Sequence, residues 1–158
     1  MFFALQGIKK NGLIYCEDAY KKGVRCFVVA EEISLPDDSF IIQVDDTLRS
    51  LQKLAIYHRS LIQYPIIAIT GSYGKTTIKE WMYFLLKDHF QIGRTPKSYN
   101  SQIGVAHSIL ALPVEADFGI IEADISHPGE MDALEEMIAP QIGIFTGVGT
   151  YYTHNFKN

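Results

Sequence analysis

The sequence predicts an α/β protein: a small N-terminal α/β unit, then a parallel-sheet domain with helices on both faces whose sheet stops unfinished at Asn158. Three observations carry this reading. Short apolar runs alternate with helical stretches along the chain, and from Pro65 onward the strands are continuously apolar, as in sheets covered on both faces. A glycine-punctuated turn ending in Lys-Thr-Thr joins one such strand to a helix.

In the first unit, Phe2-Phe3-Ala4-Leu5 reads as a strand that begins with the chain, and Gly7 with Asn11-Gly12 marks a loop. Tyr15 to Lys22 reads as a helix closed by Gly23, and Cys26-Phe27-Val28-Val29 and Phe40-Ile41-Ile42-Gln43-Val44 read as strands. Asp45-Asp46-Thr47 offers N-cap oxygens to an amphipathic helix in which Leu48, Leu51, Leu54, Ala55, His58 and Leu61 follow at helical spacing. In the second unit the predicted order is strand Pro65–Thr70, helix Lys75–Lys87, strand Gln91–Thr95 and helix Gln102–Leu112. Strand Phe118–Ala123, helix Pro128–Ile138 and strand Gln141–Thr146 follow.

Composition excludes several functional classes. With 158 residues, 47% hydrophobic and 20% charged, the chain has material for one domain or two small ones and is not disordered. Lys and Arg number 14 against 18 Asp and Glu, and no stretch concentrates the positive charge, so no nucleic-acid partner is expected. The longest apolar segment, Leu61–Thr70, falls short of the ~20 residues of a membrane span, and no signal peptide opens the chain; a cytoplasmic protein is expected. Cys16 and Cys26 alone make neither a zinc site nor a disulfide framework. His58, His89, His107 and His127 share no ligand spacing, and Glu130, Asp132, Glu135 and Glu136 read as a solvated helix face. Tyr15, Tyr20 and Phe27 offer faces for stacking on a base, with core packing as the alternative.

The sharpest signal is Gly71-Ser72-Tyr73-Gly74-Lys75-Thr76-Thr77. A strand followed by such a turn points successive N–H groups inward, and the helix after it aims unpaired N–H groups and its positive dipole end at the same spot. Phosphate is the natural occupant: Lys75 would reach the β- and γ-phosphates, Thr76 would ligate Mg²⁺ and Thr77 would support this P-loop. The longer G-x-x-x-x-G-K-[ST] pattern is incomplete, because Ile69 stands five positions before Gly74. The alternative is a plain strand-to-helix turn in which the glycines only permit the backbone.

The loop, read with Ser98-Tyr99-Asn100-Ser101-Gln102-Ile103-Gly104-Val105, Glu122 and Pro128-Gly129-Glu130, resembles the Mur ligase family of peptidoglycan synthesis. The likeness is greatest to the branch that adds D-alanyl-D-alanine to a UDP-N-acetylmuramoyl tripeptide, whose racemase-fused form carries a very similar Pro-Lys-Ser-Tyr-Asn-Ser-Gln-Ile-Gly run. The resemblance implies an ATP-dependent ligase of cell-wall biogenesis that forms an acyl phosphate on the UDP-linked peptide and lets an amine displace phosphate. It implies residues 1–62 as part of a UDP-sugar-binding domain with a linker helix, and 63–158 as the first part of the central ATP-binding domain.

Carried over residue by residue, the resemblance makes Lys75 and Glu122 catalytic, and Thr76 and Glu122 the ligands of Mg²⁺. Gly71, Ser72, Tyr73, Gly74, Lys75, Thr76, Thr77 and Asn100 become contacts to ATP, although Asn100 also reads as a helix N-cap. Three departures stand out: Tyr152 where the family has a metal-site histidine, with His154 two residues on; Asp124 where it prefers Gly; and Ala106 where it prefers Pro. The expectation is an N-terminal piece inactive by itself. The alternative is a nucleotide-binding paralogue or regulatory remnant that has lost catalysis.

Overall fold

A computed structural model describes residues 1–7, 11–125 and 129–149. The chain divides into two compact units, Met1–Leu51 and Gln52–Asn158.

In the first unit, β1 (Phe2–Phe3), β2 (Cys26–Val29) and β3 (Phe40–Gln43) form a parallel sheet in that order, with Phe27 opposite both Phe2 and Ile41. The core is Ala4, Cys16, Ala19, Phe27 and Val29, and the Phe2 ring meets Phe27 edge-on at 6.1 Å. Helix α1 (Cys16–Lys21) ends where predicted: Gly23 takes φ +93°, its N–H bonds to the Tyr20 carbonyl, and the Val24 N–H reaches the Ala19 carbonyl. That pair of bonds is the glycine-closed helix end in which left-handed backbone satisfies the last carbonyls.

Two details differ from expectation. The first strand is two residues long, because the Gly12 N–H bonds back to the Leu5 carbonyl and turns the chain there. A Cβ at Gly12 would lie 2.7 Å from the backbone of Ala4 and Leu5, which explains glycine at that approach. Residues Gly12–Tyr15, read as loop and helix start, form one 3₁₀ turn capped by the Asn11 side chain. Phe27 is fully buried, and Tyr20 donates to Asp38 while the Arg25 guanidinium covers its ring at 4.0 Å, so neither offers a free stacking face.

Helix α2 (Thr47–Leu61) contains the boundary between the units and begins with Asp46 accepting from the Arg49 N–H at 2.9 Å, the cap predicted from Asp45-Asp46-Thr47. The second unit then runs β4 (Ile66–Thr70), α3 (Lys75–Leu86), β5 (Ile92–Arg94), α4 (Gln102–Leu110), β6 (Phe118–Glu122), α5 (Glu130–Ile138) and β7 (Ile142–Phe145). The strands are all parallel, in the order β5-β6-β4-β7. Ile66, Ile69, Ile120 and Ile121 are buried from the two central strands, with Val105, Ile109, Leu134 and Met137 from the helices against them. Each such side chain contributes about 1.5–3 kcal/mol of burial.

Helix α3 packs on β4 and β6, and α4 packs on β6 and α5; right-handed crossovers in this strand order require α3 on one face and α4 and α5 on the other. The connection from β4 runs toward β5, whereas that from β6 runs the opposite way to β7, so the chain switches direction between β4 and β6. Ligands of open α/β sheets gather outside the carboxyl ends of strands at such a switch. Coverage of both faces holds for β4 and β6 but not for β7, where Ile142 and Phe145 are exposed. Among the described residues β7 pairs with β4 alone, as an edge strand.

The buried Arg59 ties α2 to the end of α5. It donates to the carbonyls of Ile138 (2.7 Å), Ala139 (3.0 Å) and Ile62 (3.0 Å) and to Gln141 Oε1 (3.3 Å). Helix α5 closes at Ala139 with φ +41° and no glycine, and the guanidinium supplies donors to the carbonyls left over there.

Candidate functional site

The site lies at the carboxyl ends of β4 and β6. After Thr70 the chain turns at Gly71 (φ +126°) and Gly74 (φ +80°), and α3 starts at Lys75. The turn is tied to the stretch after β7: the Ser72 N–H bonds to the Gly147 carbonyl at 2.9 Å, and the Gly149 N–H to Ser72 Oγ at 2.7 Å. Thr146 closes against Thr70 through both its N–H and its hydroxyl. A Cβ on Gly71 would sit 2.3 Å from Thr146 Oγ1, so glycine is demanded there by contact as well as by backbone.

Lys75 is almost buried; its ammonium donates to the Gly71 carbonyl at 2.6 Å and lies 3.3 Å from Asp124 Oδ1. Thr76 Oγ1 is 3.0 and 2.9 Å from the two oxygens of Glu122 and 3.4 Å from Ser98 Oγ. Thr77 and Tyr73 are exposed, and the Tyr73 ring packs where a Cβ on Gly149 would stand. Glu122 ends β6 at 1% exposure, with its N–H bonded to Thr95 Oγ1 at 3.0 Å.

The Asn100 side-chain amide donates to Glu122 Oε1 at 2.8 Å, and the Asn100 backbone carbonyl accepts from the Asp124 N–H. The N-cap of α4 is Ser101, which accepts from the Gly104 N–H, so Asn100 does not take the capping role its position also allowed. The structure thus brings Lys75, Thr76, Asn100 and Glu122 together around the loop. Pro128, His127, Tyr152 and His154 lie outside the described residues.

Sequence reasoning missed Lys79. It follows Lys75 by one helical turn, is fully buried, lies 3.5 Å from Glu122 Oε2 and 3.4 Å from Glu80 Oε1, and donates to the Lys97 carbonyl. The i, i+4 spacing from Lys75 was the available signal. Glu80 in turn binds Arg94. Burial works against the Glu80 charge, but Arg94 and then Lys79 outweigh it and hold the carboxyl below its usual range. A second polar chain runs from the buried Gln52 to Gln102 (2.8 Å) and on to Glu130 (3.1 Å).

For a divalent cation the donor set is a hydroxyl and a carboxylate, Thr76 and Glu122, hard oxygens of the kind that hold Mg²⁺ with waters and phosphate completing the shell. The residues fit that ion. Among the described residues no three His, Cys, Asp or Glu side chains cluster as a protein-only metal cage.

Fold and site together define an α/β domain with a P-loop-type strand, glycine turn and helix, and a buried carboxylate on the neighbouring strand. The Mur ligase middle domain model matches residues 69–157, and the chain belongs to that family. It is 30% identical, over all 158 residues, to the UDP-N-acetylmuramoyl-tripeptide--D-alanyl-D-alanine ligase of Rickettsia prowazekii, covering 35% of that protein. The Bacillus subtilis ligase of the same name is 30% identical over 94% of this chain and 33% of its own length. Among solved structures, MurF from Acinetobacter baumannii superposes with a TM-score of 0.90 at 27% identity, over 99% of this chain and 34% of that one. MurF ligase from Thermotoga maritima, solved in complex with ADP, gives 0.82 at 27% identity over 94% of this chain and 34% of that one. The chain spans about a third of the length of these relatives. Among the described residues no helix is long and apolar enough to cross a membrane.

Proposed function

We propose that this chain carries the nucleotide-binding part of an ATP-dependent ligase that adds D-alanyl-D-alanine to a UDP-N-acetylmuramoyl tripeptide in the cytoplasm. The observation that carries the reading is the convergence of Thr76 and Asn100 on the buried Glu122, with the ammonium of the neighbouring Lys75 turned back to the Gly71 carbonyl in the same glycine turn. Residues 63–158 serve ATP, and residues 1–62 contribute to the UDP-sugar site. In the reaction the tripeptide carboxylate attacks the γ-phosphorus of ATP, the bond to ADP breaks, and an acyl phosphate forms. The amine of D-alanyl-D-alanine then attacks the acyl carbon, phosphate leaves and the nitrogen loses a proton.

Backbone N–H groups from Tyr73 to Thr77, in the turn and the first turn of α3, receive phosphate oxygens, the Ser72 N–H being held by the Gly147 carbonyl. Lys75 leaves the Gly71 carbonyl and Asp124 to neutralise the β- and γ-phosphates, so that two anions can approach each other. Thr76 and Glu122 hold Mg²⁺, and Asn100 fixes the Glu122 carboxylate. When bound, Mg²⁺ supplies further neutralisation of the phosphate charge.

Calorimetry with ADP, with and without Mg²⁺, tests the reading. Binding should be metal-assisted and should weaken roughly tenfold or more in Lys75→Ala, the scale of one lost charge-assisted hydrogen bond. No binding by a folded chain at millimolar nucleotide would overturn it. The departure at Asp124, paired here with Lys75, favours a second reading, a nucleotide-binding protein without ligase activity. Amide product, sought by mass spectrometry in the protein that carries these residues after supplying ATP and both substrates, separates the two.

A further inference from the structure

Lys79 is a charged side chain with no exposure at all. Burying an ammonium forfeits its hydration, and an apolar side chain of the same length would fill the space without that loss, so packing does not explain the charge. What surrounds the ammonium does. It donates to the carbonyl of Lys97 and faces Glu122 Oε2 at 3.5 Å, the one ion pair that Glu122 makes among the described residues.

Lys97 is held at φ +53°, unfavourable for a residue with a Cβ, and the bond from Lys79 fastens the carbonyl of that strained residue. The same loop carries Ser98 to Thr76 and Asn100 to Glu122 Oε1. Asn100 and Lys79 therefore grip opposite oxygens of one carboxylate, and Thr76 touches both oxygens from the first turn of α3.

We propose that Lys79 is a positioning residue: it holds Glu122 and the loop from Lys97 to Asn100 in the arrangement that meets the divalent cation accompanying nucleotide phosphates. This rests on the reading of the loop as a nucleotide site. Lys79 touches neither phosphate nor metal and acts through Glu122. Its removal therefore costs the part of nucleotide affinity that depends on metal and spares the part that depends on Lys75 and the backbone donors.

The experiment is calorimetric titration of the full chain with ADP in Mg²⁺ and again in EDTA, for wild type, Lys79→Met, Glu122→Gln and the double variant. The expected result for Lys79→Met is that the ratio of the two dissociation constants falls about tenfold toward one, with the EDTA value unchanged. In the Glu122→Gln background Lys79→Met should remove nothing more from that ratio, since the two residues act in series. Lys79→Gln, shorter and polar, is the substitute if Lys79→Met does not fold, with the same loss expected. A preserved ratio in Lys79→Met, or equal weakening in Mg²⁺ and in EDTA, would overturn the proposal. Absence of ADP binding by the wild-type chain would instead overturn the reading of the site itself, and is seen before any variant is compared.

Discussion

Lys75 and Asp124 form an ion pair at 3.3 Å across the mouth of the glycine turn, with 9% and 21% of their side chains exposed. A phosphate arriving at the loop, as proposed, would compete with Asp124 for that ammonium and meet a carboxylate of its own charge. Asp124→Asn should therefore strengthen ADP binding, by about fivefold if a partly exposed pair contributes roughly 1 kcal/mol. Calorimetry reads this directly. Weaker binding in Asp124→Asn would mean that the carboxylate helps to receive the ligand.

A second expectation concerns Arg59, three of whose four hydrogen bonds join α2 to the end of α5 and to Gln141, the fourth going to the Ile62 carbonyl just past α2. Arg59→Met keeps most of the volume and leaves the buried carbonyls of Ile62 and Ile138 without this donor, while the Ala139 carbonyl keeps the Gln141 amide. Unsatisfied buried acceptors cost about 1–3 kcal/mol each, so a loss of roughly 3 kcal/mol is expected in urea unfolding. A loss below about 0.5 kcal/mol would mean that water replaces the guanidinium at no cost.

Much of this arrangement was legible because it is local. The cap at Asp46, the glycine end of α1 and the strand, turn and helix around Gly71 depend on residues adjacent in the chain, and each forms where the pattern put it. Glu122 was legible for a different reason: the family resemblance carried it over, at the end of an apolar run. Lys79 was not, since a lysine in a helix is ordinarily solvated and its burial follows only when the loop at Lys97 folds over α3. Asn100 and Ser101 are neighbouring cap-forming residues, and only the position of Glu122 across the site decides which of them caps α4. The exposure of β7 escaped because an apolar run looks the same in the middle of a sheet and at its edge.

The Glu80–Arg94 pair gives a pH dependence with a definite sign. The folded carboxyl titrates below its ordinary value of 4.5, held there against burial by Arg94 and Lys79. A lowered folded pKa stabilises the native state fully above the unfolded value, and the contribution is lost as pH falls through the folded one. The difference in thermal midpoint between wild type and Glu80→Gln should therefore be constant above about pH 5.5 and shrink below about pH 4.5. A difference that grew on acidification would reverse the assignment.

The two glycines of the turn should respond unequally to alanine. Both have positive φ, at which a Cβ costs about 1–2 kcal/mol. At Gly74 (φ +80°) nothing lies within 4 Å of the added carbon, so Gly74→Ala carries that backbone cost alone. At Gly71 (φ +126°) the carbon would stand 2.3 Å from Thr146 Oγ1 and 2.9 Å from the Thr146 backbone nitrogen. The hydroxyl can rotate away only by giving up its bond to the Thr70 carbonyl, and the nitrogen cannot move without β7, which pairs with β4 through Phe145 opposite Thr70. Gly71→Ala must therefore displace the turn or the end of the strand. Its loss of stability should exceed that of Gly74→Ala by about 1–3 kcal/mol, the usual cost of forcing atoms into a packed region. Displacing the turn also moves the Ser72 N–H and the Gly71 carbonyl that holds Lys75, so nucleotide affinity should fall further in Gly71→Ala than in Gly74→Ala. Equal losses in urea unfolding and in ADP titration would mean that the contact with Thr146 relaxes freely and that the backbone angle alone requires glycine at both positions.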